Sequence, residues 1–314
     1  MLDLKRKSVV KTLLKTNNTA HSLWQNGYQK ITIISSVDKK TQNAYFYPTT
    51  SAYPKPLVVS LHTWSGDYDS FDSLAILSKQ KDVNYIHPSF RGPNKTREAC
   101  LSQLALADID DAIEFAVAKG NVDTTQIHVI GKSGGGLAAI GAYMKSKHQL
   151  NTVSAWVPIT DLAQWHTEVL IRQKEYAMDI LKCTSSNNTI FDIQIANERS
   201  PINWPTPLEK RKNTRLLLYA GIYDGITGSV PISHSIDYYN KVLQDYEAKD
   251  SASFVSEKEE LLLLKQKKGA AFQMKIDGRR VLLKKKYKKV QLCIFDGGHE
   301  MLTQFAFKAL FENN

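Results

Sequence analysis

IHVIGKSGGGLAAIGAY, residues 127–143, is the stretch on which the reading of this 314-residue chain turns. Gly131-Lys132-Ser133 is how a phosphate-binding loop ends, and Gly131-Lys132-Ser133-Gly134-Gly135 is equally a G-x-S-x-G turn. The first reading makes Ser133 a magnesium ligand, the second an oxygen that attacks a carbonyl. A phosphate-binding loop needs another glycine where the backbone first wraps the phosphates, and that position holds Gln126. The residues from Ile127 to Ile130 form a strand-like run, not a flexible loop. The second reading finds an apolar strand, the turn and a helical stretch in the required order. Glycines at 131 and 135 remove side chains that would collide with a strained turn. The N-terminus of the helix that follows favours negative charge beside Ser133.

Outward from this turn, short apolar runs alternate with helical patterns. The runs at 56–62, 83–88, 126–131, 153–158, 214–221 and 289–295 read as strands buried on both faces. Leu104, Ile109, Ile113 and Ala116 recur at helical spacing within a long amphipathic helix over 96–119, and further helices are expected at 134–145, 235–245 and 300–311. Two β-rich runs, 31–37 and 43–48, form an antiparallel opening pair. This is the pattern of an α/β fold with a mostly parallel central sheet and helices on both faces. Size favours a single domain over 1–314. Two stretches break the alternation: 159–205, expected to form a small cap, and 246–288, where AFQMKI-DG-RRVLL predicts a basic β-hairpin inserted before the last strand.

An activated serine needs a base and an acid, and in this strand order they come as serine, acid, histidine. Asp224 follows the run LLLYAG and His299 follows QLCIF, each in a loop beyond a strand end, where the C-terminal edge of a parallel sheet gathers its functional loops. Ser133 is expected to attack, His299 to shuttle its proton and Asp224 to fix the imidazole. Asp296, only three residues from His299, is the rival acid. The oxyanion hole needs two N–H groups, assigned to Gly134 and to Trp64 in the loop Thr63-Trp64-Ser65-Gly66. Trp64, Thr63, Arg91, Trp165 and His234 are the expected substrate-binding residues. The proposed chemistry needs no metal or organic cofactor.

Together LHTWSGD, FRGPN, GKSGGG, ERSPINW, AGIYDGITGSVPISHS and DGGHE resemble the α/β-hydrolase superfamily, and within it the catalytic domains of the prolyl oligopeptidase and acyl-peptide hydrolase group. The resemblance spans roughly 56–300 and implies a serine hydrolase with Ser133, Asp224 and His299 as its triad. It departs from that group in two ways. Only about 55 residues precede PLVVSLH, so no β-propeller like that of the oligopeptidases is expected within this sequence, and His-Thr-Trp stands where the group has His-Gly-Gly. A tryptophan at the mouth suits stacking on a sugar ring, so a carboxylesterase, one deacetylating a carbohydrate, is expected. The alternatives are a peptidase acting on short peptides and a non-catalytic binding protein on the same fold. The expected partner is a small-molecule or oligosaccharide ester.

The formal charge of +10 is concentrated: residues 257–290 hold 12 Lys and Arg against 4 Asp and Glu. A nucleic-acid binder is therefore not implied by the overall charge. GRRVLLKKKYKK reads either as a lysine-protected edge or as a patch for an anionic polymer. The three cysteines lie far apart, which argues against a disulfide framework or zinc cluster and suits a reducing, cytoplasmic compartment. No apolar run is long enough to span a bilayer, and the N-terminus makes a poor signal peptide.

Overall fold

A computed structural model describes Trp24 and residues 27–185, 190–266 and 274–312. Ten strands form one sheet: β1 (Gln29–Ile34), β2 (Thr41–Tyr47), β3 (Lys55–Leu61), β4 (Asn84–Pro88), β5 (Val122–Lys132), β6 (Thr152–Trp156), β7 (Arg215–Gly221), β8 (Lys275–Ile276), β9 (Arg279–Tyr287) and β10 (Val290–Phe295). The spatial order is β1-β2-β4-β3-β5-β6-β7-β10-β9-β8. The six strands from β4 to β10 are parallel, while both flanks are antiparallel. This is the mostly parallel sheet expected from the alternation of patterns, in the α/β-hydrolase arrangement that the resemblance implies.

The central strands are apolar throughout because both their faces are covered. Along β5, Val129 faces one layer and Ile130 the other. The first layer packs the helices Gln103–Lys119, Gly134–Lys145 and Ser233–Asp245 on the sheet through residues such as Ile109, Ile113, Leu137, Ile140 and Ile236. The second packs Ser73–Lys81 and Thr303–Leu310 through Leu74, Ala306 and Leu310. The long helix begins at Gln103, later than its periodicity suggests. Cys100 and Leu101 take positive φ (51° and 58°), and Ser102 caps the helix by accepting from the Ala105 N–H at 3.2 Å.

The stretch from 159 to 205 is helical where described, with Leu162–Ile171, Tyr176–Thr184 and Ile193–Glu198. Asp161 and Asp192 supply side-chain caps for the first and third of these. The expected hairpin before the last strand is present: the DG turn at Asp277-Gly278, both with positive φ, joins β8 to the antiparallel β9. β9 joins the main sheet beside β10, so its lysines sit on a ladder strand. Arg279, Arg280 and Lys285 pair with Glu300, Asp296 and Glu259. Residues 271–273 of the expected hairpin lie outside the described residues. Among the described residues no helix is long and apolar enough to cross a membrane.

One expectation is overturned by the fold. Cys100 and Cys183, both buried, form a disulfide across 83 residues. Spacing along the chain is silent on pairs that only the tertiary fold closes, so the cysteine argument for a reducing compartment loses its premise. The bond ties the loop before Gln103–Lys119 to the helix Tyr176–Thr184. Replacing both cysteines by alanine should lower stability by about 2–4 kcal/mol, because a long closed loop no longer restrains the unfolded chain. Denaturant midpoints with and without reductant check this. A wild-type midpoint indifferent to reductant would exclude the bond.

Candidate active site

Ser133 ends β5 and opens the helix Gly134–Lys145 with φ 60° and ψ −118°, a strained conformation for a residue with a side chain. Its N–H donates to the Trp156 carbonyl at 2.8 Å, fixing the turn to the neighbouring strand. The turn depends on its glycines through close approach. A Cβ on Gly131 would lie 2.1 Å from the Gly135 carbonyl oxygen, and one on Gly134 would lie 2.6 Å from the Trp64 backbone nitrogen. The Gly134 and Trp64 main chains therefore touch beside Ser133. The Gly134 N–H, first in its helix, has no intrahelical acceptor, and among the described residues the Trp64 N–H donates to no protein acceptor.

Asp224 lies just past β7 and His299 just past β10, which are adjacent parallel strands. The imidazole Nδ1 of His299 lies 2.7 Å from Asp224 Oδ2. The carboxylate accepts there, so Nδ1 carries the proton and Nε2 is left as a base. Asp224 is buried, and its Oδ1 accepts from the Gly225 and Val230 N–H groups at 2.9 and 3.1 Å. With His299 this gives the buried side chain three hydrogen-bond partners, so neither oxygen is left unpaired. Asp296 instead accepts from Arg280 at 2.8 and 3.0 Å, so it does not serve His299. No hydrogen bond joins Ser133 to His299 among the described residues. Such contacts often tighten only when substrate is bound.

The expected substrate-binding residues fare differently. Thr63 is exposed and lines a cavity of about 200 Å³ against Gly131 and Lys132, together with Asp72, Met301 and Thr303. Trp64 corrects the sequence reading: its side chain is only 2% exposed, edge-on to Trp165 at 4.8 Å, with Nε1 donating to Asp179 at 3.3 Å. It has no free face on which a sugar could stack, whereas its backbone nitrogen lies against Gly134. Trp165 is equally buried and donates from Nε1 to the Ser229 carbonyl at 2.9 Å. His234 is buried between the Thr160 N–H, 3.2 Å from Nδ1, and Glu168, 3.1 Å from Nε2.

Arg91 is also removed from the expected set. Its guanidinium is bidentate to Asp108 (2.5 and 3.1 Å) and to Asp38 (2.8 and 2.9 Å), with Glu98 at 3.4 Å. A fork already filled by carboxylates has no donors to offer a ligand. His62, which begins the Thr63–Trp64 loop, stacks on Phe90 at 3.9 Å, and burial pushes its pKa down to about 4. It is neutral at pH 7 and shapes the loop. Sequence reasoning missed Asp179, which holds the Trp64 indole, and Arg172, which donates to the carbonyls of Gly225, Gly228 and Ser229. Neither has a local signal, since each acts on a distant segment and Arg172 on main-chain atoms alone.

No curated protein matches the sequence. Solved structures with the same fold include an acylaminoacyl peptidase in complex with Z-Gly-Gly-Phe-chloromethyl ketone, with 15% identity, a TM-score of 0.60 and coverage of 90% of this chain and 40% of that one. The acylaminoacyl peptidase of Pyrococcus horikoshii gives 14%, 0.57, 90% and 40%, and oligopeptidase B from Leishmania major gives 12%, 0.59, 90% and 36%. The chain thus spans about two fifths of these proteins. At such identity they show the fold alone. The model of the prolyl oligopeptidase family matches residues 70–260, a span that includes both Ser133 and Asp224. Because that match takes in more than half of the 314 residues, this chain belongs to the prolyl oligopeptidase family.

Proposed function

We propose that the protein is a serine hydrolase that cleaves short peptides through an acyl-enzyme. The observation that carries this reading is the Asp224–His299 hydrogen bond on the strands beside the strained Ser133 turn. Ser133 Oγ attacks the carbonyl while His299 Nε2 takes its proton, and Asp224 steadies the imidazolium that results. The oxyanion accepts from the Trp64 and Gly134 N–H groups, aided by the N-terminal end of the helix Gly134–Lys145. His299 then protonates the leaving amine, and water repeats the sequence on the acyl-enzyme.

The peptide is preferred over a carbohydrate ester for two reasons. The argument for a sugar rested on an open Trp64 ring, and that ring is buried. The family and the solved proteins of the same fold also carry peptidase names. A panel of short blocked peptide amides, p-nitrophenyl acetate and acetylated oligosaccharides tests the choice. The peptide amides should be turned over and the oligosaccharides left intact. Deacetylation without amide cleavage would restore the esterase reading. A folded protein that neither turns over any of them nor labels with a fluorophosphonate would be a binding protein on this fold.

A further inference from the structure

We propose that Arg172 is a positioning residue for the Asp224–His299 couple and acts through the main chain of the loop that carries Asp224. The inference rests on the serine hydrolase reading. Arg172 directly follows the helix Leu162–Ile171, which lies in the segment expected to form a cap. Its Nε donates to the Glu168 carbonyl at 3.0 Å, one turn back, which aims the guanidinium away from its own helix. Nη1 donates to Gly225 (3.0 Å) and Gly228 (3.3 Å), and Nη2 to Ser229 (2.8 Å). Its nearest carboxylate, Glu168, is 3.9 Å away, so the fork serves carbonyl oxygens in preference to an ion pair.

The loop from 224 to 230 is the cradle of the acid. The peptide unit joining Ser229 to Val230 is held at both ends: its C=O accepts from Arg172 and from Trp165 Nε1, while its N–H donates to Asp224 Oδ1 at 3.1 Å. Gly225 is held through two successive peptide units, its N–H on Asp224 Oδ1 and its C=O on Arg172. A cation on the Ser229 carbonyl polarises the Ser229–Val230 peptide and strengthens its N–H as a donor to Asp224, while the contacts to Gly225 and Gly228 fix the loop's path. Occupying Oδ1 in this way leaves Oδ2 for His299. The same loop packs against both partners, since a Cβ on Gly228 would lie 2.2 Å from Asp224 Oδ1 and 2.6 Å from His299 Cβ. A planar fork reaches three carbonyls at once, which a lysine ammonium on a flexible stem does not reproduce. The helix Leu162–Ile171, which Arg172 caps, thereby becomes part of the catalytic frame.

Arg172→Met, Arg172→Lys and Trp165→Phe test this, with kcat, KM, the rate of fluorophosphonate labelling and the low-field proton resonance of the His299 Nδ1–H as readouts. For Arg172→Met, kcat and the labelling rate should fall about 100-fold, as a displacement near 1 Å would produce, while KM changes little. The low-field proton should broaden or vanish in a protein that keeps its circular dichroism. Arg172→Lys should recover part of the loss, and Trp165→Phe, which removes one donor from Ser229, should show a smaller loss of the same kind. If Arg172→Met does not fold, the other two variants carry the test through the same resonance. Folded variants with an unchanged low-field proton and unchanged kcat overturn the proposal. A wild-type protein that shows the Arg172-dependent proton yet never labels overturns the serine hydrolase reading and leaves this one standing.

Discussion

Ser133→Ala should abolish covalent labelling by a fluorophosphonate and lower turnover of the best peptide amide by about 10⁴- to 10⁶-fold, because the members of such a triad act as one unit. The substitution removes one oxygen from a residue whose backbone is fixed independently of it, by the Trp156 carbonyl and the close approach of Gly131 to Gly135. The variant should therefore fold and melt as the wild type does. Substrate should still bind, since the substitution removes only the Ser133 hydroxyl and leaves the surrounding groups in place. The expected signature is a collapse of kcat with KM little changed. Steady-state kinetics and mass spectrometry of the labelled protein check it. Labelling that persists at another residue would move the nucleophile away from the turn. Retained turnover without labelling would replace covalent catalysis by another mechanism.

What could be read from the sequence is what depends on short-range pattern. The Gly131-to-Gly135 turn is legible because a strained strand-to-helix turn constrains residue types at fixed spacing. Asp224 and His299 are legible because each follows an apolar strand, and the parallel order of those strands brings their ends together. Residues whose roles depend on closure between distant segments were not legible. Arg91 looked like a site residue because it follows a strand end, yet its charge is consumed by carboxylates at positions 38, 98 and 108. Trp64 was rightly placed beside the turn, but its identity suggested an exposed ring, when the fold uses its main chain outward and its side chain inward. Cys100 and Cys183 had no spacing to betray them. The lysine-rich edge at β9 was legible, because a strand left largely unpaired on its outer side favours charged side chains.

Arg91→Met should destabilise the protein by about 3–5 kcal/mol, the range for breaking a buried ion pair from one side. The side chains of Arg91 and Asp108 are 2% and 1% exposed, and neither charge can turn to water when its partner is removed. Burial already pushes the Asp108 carboxyl upward against the pull of Arg91, so without the cation it must either stay charged and unpaired or take up a proton. Asp38 behaves oppositely: hydrogen bonds from Arg91 hold its carboxyl well below 3.8. A depressed carboxylate stabilises the fold above its unfolded pKa, and that contribution is lost as pH falls below about 3.8 through the lower folded value. The wild type should therefore weaken on that acid limb. The variant should lose most of this limb and grow relatively more stable as pH falls, because protonation relieves the buried, now unpaired Asp108 beside Asp38, while Lys40 keeps its pairing with Glu98. Denaturant unfolding across pH measures both effects. KM of the folded variant should equal that of the wild type, since no donor of Arg91 is free to reach a ligand. Unchanged stability with a raised KM would return Arg91 to the substrate site.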